Sequence, residues 1–202
     1  MVMKVESAFP TDLFLFDNSS IQHDKLIEAI KLSNHAVKHS GVISLLQDFR
    51  NDYLFLELFT WFNECLEQIR TYMDYDCERF TITNSWCNIS LAGSGMGLNF
   101  HKHSLSFFSG VYYLSDGAPT VFEDPVIHRT QAQIEVLRKN YRPIHTIPAQ
   151  QGRLCIFPSW MYHGTLAHWD NNDRYVISFN AMPDGKINYE TATDSKGHIK
   201  IL

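Results

Sequence analysis

Three histidines have the type and spacing for metal chemistry: His101 and His103, one residue apart, and His163 further along the chain. In an extended segment, residues i and i+2 project from the same face, so the first two imidazoles can aim at one point. Neutral imidazole is the commonest protein ligand for iron, zinc and copper. His163 follows GRLCIFPSWMY, a buried-looking strand closed by a bend at Pro158, which predicts a position at the rim of a barrel. Beyond it, Arg174 opens the alternating run RYVISFN, in which Arg174, Val176 and Ser178 share one face and Tyr175, Ile177 and Phe179 the other. A buried guanidinium requires an anionic partner, and its planar fork suits a carboxylate. That partner is either an anionic ligand or one of the chain's own carboxylates, such as Asp170 or Asp173.

The elements that must position these residues follow from the pattern. TDLFLFD (11–17) reads as an opening strand before the turn-forming Asn18-Ser19-Ser20. Apolar residues from Gln22 to His39 approximate a helical period, with Ser20 placed to cap it. Residues 53–73 predict a helix whose stripe of Phe55, Phe59, Phe62, Leu66 and Ile69 packs on a sheet. After Arg79 the texture becomes β: FTITNSWCNISL, FFSGVYYL (107–114), PTVFED (119–124), RPIHTIPA, GRLCIFPSW, HGTLAHW and RYVISFNAM. Asp116-Gly117 reads as a hairpin turn. Strands after a helical first third indicate an α+β fold, mainly β, whose second part is an antiparallel sandwich or barrel. The division is strand and helices over 1–80, barrel over 81–182 and tail over 183–202, all one domain. The weakly patterned tail reads as an edge strand or as partly disordered.

Composition narrows the class. Of 202 residues, 45% are apolar and 19% charged, with a net charge of -5, which argues against a general nucleic-acid binder. Cys65, Cys77, Cys87 and Cys155 form no CxxC pair and read as reduced, structural cysteines. No segment has the length of a membrane span and no signal peptide is visible, so a soluble, cytoplasmic protein is the expectation. Oligomeric state is not legible.

The runs HKHSLSFFSGVYYLSDGAPTVFEDP, GRLCIFPSWMYHGT and DRYVISFN together resemble the iron(II)- and 2-oxoglutarate-dependent oxygenase superfamily, and within it a group from bacteria and their phages. The likeness covers about residues 84–180 in order, spacing and strand context. It implies a double-stranded β-helix (jelly-roll, cupin-like) with N-terminal supporting helices. It implies Fe(II) as cofactor, 2-oxoglutarate as co-substrate, O2, and a small-molecule or peptidyl substrate, hydroxylated as succinate and CO2 form. By residue, it implies His101 and His163 as metal ligands and Arg174 and Tyr113 at the distal carboxylate of 2-oxoglutarate. Ser178 adds a hydroxyl contact, and Asn88 is either a contact for the co-substrate's other end or a strand-edge hydrogen bonder.

One departure stands out: the superfamily has His-x-Asp where this chain has His101-Lys102-His103. Either His103 is the third ligand, or a carboxylate such as Glu123 or Asp124 takes the place, or the position is open to water. The geometry of i and i+2 favours three histidines. Two other readings fit the missing aspartate: a three-histidine, cupin-like dioxygenase or isomerase without 2-oxoglutarate, and a non-enzymatic barrel binding a small acid or a partner. The turns at 92–98 and the segment 126–142 read as substrate-covering loops. His23, His35 and His39 read as surface residues, His128 and His145 as outside the site. Trp86, Trp160 and Trp169 read as core or rim, with Trp160 foremost as a pocket residue.

Overall fold

Period-two alternation along the strands decides this architecture, because it gives the main sheet two different faces to bury. The computed structural model describes residues 10–33, 36–39, 42–125, 143–190 and 195–201. In chain order the elements are β1 (Phe14–Asp17), α1 (His23–Lys31), β2 (Ala36–His39), β3 (Val42–Leu45), α2 (Leu56–Met73), β4 (Cys77–Ser90) and β5 (Phe108–Tyr113). They continue with β6 (Gly117–Glu123), β7 (Ile144–Ala149), β8 (Arg153–Pro158), β9 (His163–Thr165), β10 (Arg174–Ile187) and β11 (Gly197–Ile199).

The larger sheet runs β1-β8-β5-β10-β4-β3-β2, with β11 added to β10, and the smaller runs β7-β6-β9. All pairings are antiparallel, for example β10 with β4 and β5, and β6 with β7 and β9. This is the expected double-stranded β-helix with supporting helices. Tyr112 on β5, Ile156 on β8 and Ile177 and Phe179 on β10 face the helices, meeting Phe55, Phe59, Phe62, Leu66 and Ile69 in one core. Their strand neighbours Val111, Tyr113, Cys155, Phe157 and Val176 face the other way, into the barrel, against Phe122 and Ile147. The aromatic stripe read from the sequence therefore fastens α2 to the back of the sheet and leaves the barrel interior to the site.

Four details differ from the sequence reading. The first helix stops at Lys31, and Ala36–His39 is a strand paired with β3. Hydrogen bonding of β3 to β4 extends the sheet through this segment, and tertiary pairing overrides a weak helical period. The N-cap is Gln22 without a side-chain bond, while the hydroxyl of Ser20 donates to Asn18 Oδ1 at 2.7 Å. The bend falls at Leu114-Ser115 instead of Asp116-Gly117, Gly117 at φ 147° already opens β6, and β5 and β6 do not pair; the chain crosses there from one sheet to the other. Finally, β10 continues past Pro183 to Ile187 and gains β11, so part of the tail belongs to the sheet.

Cys65, Cys77, Cys87 and Cys155 are all free thiols. Burial pushes Cys65, Cys87 and Cys155 up to about 12, so they act as small apolar residues. Among the described residues, no helix is long and apolar enough to cross a membrane. His23 is not a free surface residue: it stacks on buried Tyr112 and shares a 2.7 Å hydrogen bond with its hydroxyl. The side chains of His35, His39 and His128, and the segment 126–142, lie outside the described residues.

Candidate metal centre

The three imidazoles meet at one mouth of the barrel. His163 begins β9 and is almost fully buried, and it forms a reciprocal backbone pair with His101, each amide donating to the other's carbonyl at 2.9 Å. The amide of His103 donates to Ser159 O at 3.0 Å, anchoring the second histidine to the end of β8. One ring nitrogen from each of His101, His103 and His163 lies within 4.8 Å of the other two. The segment 91–107 is irregular rather than a strand, yet the i, i+2 relation survives because these backbone bonds hold it extended.

Close backbone approach makes this docking possible. A Cβ on Gly164 would lie 2.6 Å from Leu98 O, and one on Gly97 would collide with Thr165 O. Residues 92–98 are laced to 165–170, with Gly95 N donating to His168 O at 2.9 Å and Thr165 N to Leu98 O at 3.0 Å. They form a wall of the site rather than the cover expected from their sequence. Gly164→Ala should push His101 away from His163, cutting turnover by roughly a hundredfold, the scale of a 1 Å misplacement. Its cost in stability should be only about 1–3 kcal/mol. Parallel measurements of turnover and thermal unfolding would check this; equal, modest losses would contradict it.

Each imidazole is held by Nδ1. His101 Nδ1 is 2.8 Å from Asn99 O, and His163 Nδ1 is 3.0 Å from Met161 O. Carbonyls only accept, so both rings carry the proton on Nδ1 and present the Nε2 lone pair. His103 Nδ1 meets Asn180 Oδ1 at 2.7 Å and Ser109 Oγ at 2.8 Å. Burial lowers the His163 pKa to about 4, with the neighbouring His101 and His103 pushing the same way, and burial lowers His103 as well. Phe157 and Phe122 supply the apolar wall around His163. Three neutral donors are what a divalent cation needs. In the metal-free protein, a folded pKa below the unfolded 6.5 means that this stability is complete above pH 6.5 and is lost as pH falls toward 4. Melting of metal-free protein at pH 7 and pH 5 should show that loss, and His163→Asn should reduce the difference.

Behind the imidazoles lies a narrow cavity lined by Trp86, Asn88, Val111, Thr120, Arg174 and Ser178, together with the three histidines. The strand register builds its floor in rungs, Asn88 beside Val176 and Trp86 beside Ser178 and Val111. Arg174 is 1% exposed and its Nε has no hydrogen-bond partner. Neither Asp170 nor Asp173 pairs with it; among the described residues it makes no salt bridge, and the nearest aromatic contact is the Tyr113 ring at 5.4 Å. Burial lowers its pKa to about 10, which leaves it charged at neutral pH. A charge so placed, without a partner, fits an anionic ligand in the cavity.

The other expected residues fall at different distances from this point. Asn88 and Ser178 line the cavity, Asn88 also accepting from Ser44 Oγ at 2.7 Å. Tyr113 stands one step back. Its hydroxyl donates to Thr120 Oγ1 at 2.6 Å, so Thr120, which the sequence reading overlooked, presents the hydroxyl to the cavity. Trp160 is 52% exposed and does not line it; Trp86 does, edge-on to His103. Among the described residues no carboxylate joins the histidine cluster, and neither Glu123 nor Asp124 belongs to it. His168 is structural, its Nε2 donating to Asn172 O at 2.7 Å, and His145 is exposed on β7. A second, open groove on the far side of His101 and His103 shares Trp86 and Asn88 and is lined by Ser44, Asn84, Ser104 and Asn180.

A double-stranded β-helix thus carries three converging imidazoles at its mouth and, behind them, a buried arginine that makes no salt bridge among the described residues. Residues 84–180, which carry all of these groups, match the family model described as "Putative 2OG-Fe(II) oxygenase". Over those residues the chain is similar to the 2OG-Fe(II) oxygenases, a family named for iron(II) and 2-oxoglutarate. No curated protein matches it significantly. Among solved structures, the epimerase SnoN from nogalamycin biosynthesis, described as non-heme and alpha-ketoglutarate-dependent, superposes with TM-score 0.65 at 12% identity, covering 95% of this chain and 91% of that one. HygX from Streptomyces hygroscopicus, with nickel and 2-oxoglutarate bound, gives TM-score 0.62 at 11% identity, covering 95% and 93%. A prolyl hydroxylase from Trichoplax adhaerens, in complex with a peptide fragment, gives 0.56 at 16% identity, covering 85% and 83%. At these identities the likeness speaks for the fold.

Proposed function

We propose that His101, His103 and His163 together hold the iron(II), and that 2-oxoglutarate occupies the inner cavity with its distal carboxylate on Arg174. The observation that carries this reading is the coincidence, in one cavity, of three converging imidazole nitrogens and a buried guanidinium lacking a partner. When bound, iron and 2-oxoglutarate supply the oxidation: 2-oxoglutarate, O2 and a substrate C–H group give succinate, CO2 and the hydroxylated product. The protein's residues do the rest. Arg174 anchors the co-substrate through a charge-assisted fork, and Thr120 and Ser178 offer hydroxyls beside it. Val111, Val176 and Leu98 keep water from the cavity, which strengthens that ion pair. The three rings, each fixed through Nδ1, keep their lone pairs aimed at one point without reorganisation.

The substrate enters from the open groove, beside Trp86, Asn84 and Ser104, and is a small molecule or a peptidyl side chain. The assay is succinate formation from 2-oxoglutarate by protein reconstituted anaerobically with iron(II) and then exposed to O2. Succinate dependent on both iron and O2 is the expected result. Zinc-tight protein that consumes no O2 under those conditions would overturn the reading.

A further inference from the structure

His103 differs from the other two imidazoles in how it is oriented. Those of His101 and His163 are held by backbone carbonyls two residues earlier, Asn99 O and Met161 O, which no side-chain substitution removes. His103 instead depends on two side chains from other strands, Asn180 on β10 and Ser109 on β5. These two are opposite each other in the sheet register, and Asn84 of β4 completes the same rung, so the sheet itself fixes where they stand.

Beyond Ser109 the hydroxyls continue to Ser159 and the half-buried Ser106. Ser109 Oγ is 2.8 Å from Ser159 Oγ, Ser159 Oγ donates to Ser106 Oγ at 2.8 Å, and Ser106 Oγ donates to Phe108 O at 2.8 Å. Each hydroxyl has one proton. Because the Phe108 carbonyl can only accept, the proton of Ser106 goes there, that of Ser159 goes to Ser106, and that of Ser109 goes to Ser159 or to Asn180 Oδ1, 2.9 Å away. In either of these arrangements Ser109 turns a lone pair toward His103; its third choice, donating to a bare Nδ1, would leave that nitrogen's lone pair facing Asn180 Oδ1, which only accepts, at 2.7 Å. The proton of His103 is therefore drawn to Nδ1, leaving Nε2 bare. No charged group takes part in the relay. A neutral histidine with neutral support stands where the superfamily resemblance expects an aspartate.

We propose that Asn180, backed by the Ser109–Ser159–Ser106 relay, is the positioning residue that makes His103 a metal ligand, by accepting its Nδ1 proton and fixing the tautomer. This rests on the metal centre assigned above and adds to it the side chain that lets an HxH sequence work there.

Two measurements test the proposal. Histidine-selective 15N spectra of the metal-free protein read the tautomer directly: wild type should show His103 protonated on Nδ1, Asn180→Asp should keep it so, and Asn180→Leu should shift the proton toward Nε2. Co(II) titration then reads affinity. Asn180→Leu should weaken binding by about 10–100-fold, the usual cost of losing such a partner, while Asn180→Asp, still an acceptor and now charged, should bind as tightly as wild type or more so. Opposite outcomes for the two variants are not what a purely structural asparagine would give. Wild-type protein that binds no Co(II) overturns the metal centre and this inference with it. Wild-type protein that binds Co(II) with His103 protonated on Nε2 overturns the inference alone, as does an Asn180→Leu variant that binds as tightly as wild type.

Discussion

His163→Ala is expected to lose metal affinity by roughly 10²–10³-fold. A structural zinc site contributes about 10–16 kcal/mol in all, so each of four ligands carries about 2.5–4 kcal/mol, and each 1.4 kcal/mol is tenfold. His101→Ala should fall in the same range, because its Nε2 faces the same point from the paired strand segment. His103→Ala is the informative member of the series. A loss matching the other two makes it a third ligand, whereas near-normal affinity makes the position open to water. His103→Asp should retain metal binding, since aspartate is a ligand too, although Asn180 would then have to turn its amide NH2 toward the carboxylate. Competitive titration against a chelator, with thermal unfolding of each metal-free variant as control, separates lost ligation from lost folding. Equal affinities across wild type, His101→Ala and His163→Ala would sink the centre altogether.

The readable part of this molecule was the part where one residue's neighbours are its own neighbours in sequence. RYVISFN declared two faces, and the fold uses them: Tyr175, Ile177 and Phe179 meet the helices while Arg174, Val176 and Ser178 line the cavity. The Phe55-to-Ile69 stripe was equally plain, since five apolar residues at spacings of three and four have one helical face to share. What escaped depends on long-range pairing. Nothing local says that Ala36–His39 joins a sheet, because the bonds that extend that sheet reach β4, more than forty residues away. Asp116-Gly117 reads as a hairpin but cannot say whether its flanks will pair; here the bend falls two residues earlier and the flanks part into different sheets. The same limit applies within the site. Trp86 and Trp160 have equal aromatic character; one stands on the rung beside Ser178 and the other emerges past Pro158 into solvent. Asn180 ends the ISFN run in full view, yet its contact with His103 spans 77 positions and exists only through strand register.

Arg174→Met should move binding and stability in opposite directions. In the ligand-free protein the guanidinium is buried, its Nε is without a partner, and its charged form is disfavoured by desolvation. Replacing such a charge with an apolar side chain of similar length removes that penalty; where buried ions have been exchanged for hydrophobic groups the change is neutral or stabilising by about 1–4 kcal/mol. Metal-free Arg174→Met is therefore expected to melt no lower than wild type. With 2-oxoglutarate present the order reverses. Truncating one partner of a buried charge pair costs about 2–5 kcal/mol, so the variant should bind 2-oxoglutarate roughly 30- to several-thousand-fold more weakly. Ligand at a hundred times its dissociation constant stabilises wild type by about 2.7 kcal/mol, a shift in melting that the variant should lack. Arg174→Lys keeps the charge without the planar fork and should fall between the two. If Arg174→Met instead unfolds the metal-free protein while leaving 2-oxoglutarate binding intact, the arginine serves the barrel's own packing against Tyr113 and Gly117, and the anion must sit elsewhere. A site that carries an unpaired charge until its ligand arrives gives up stability in the empty barrel for affinity in the loaded one, and the two halves of this measurement weigh those terms separately.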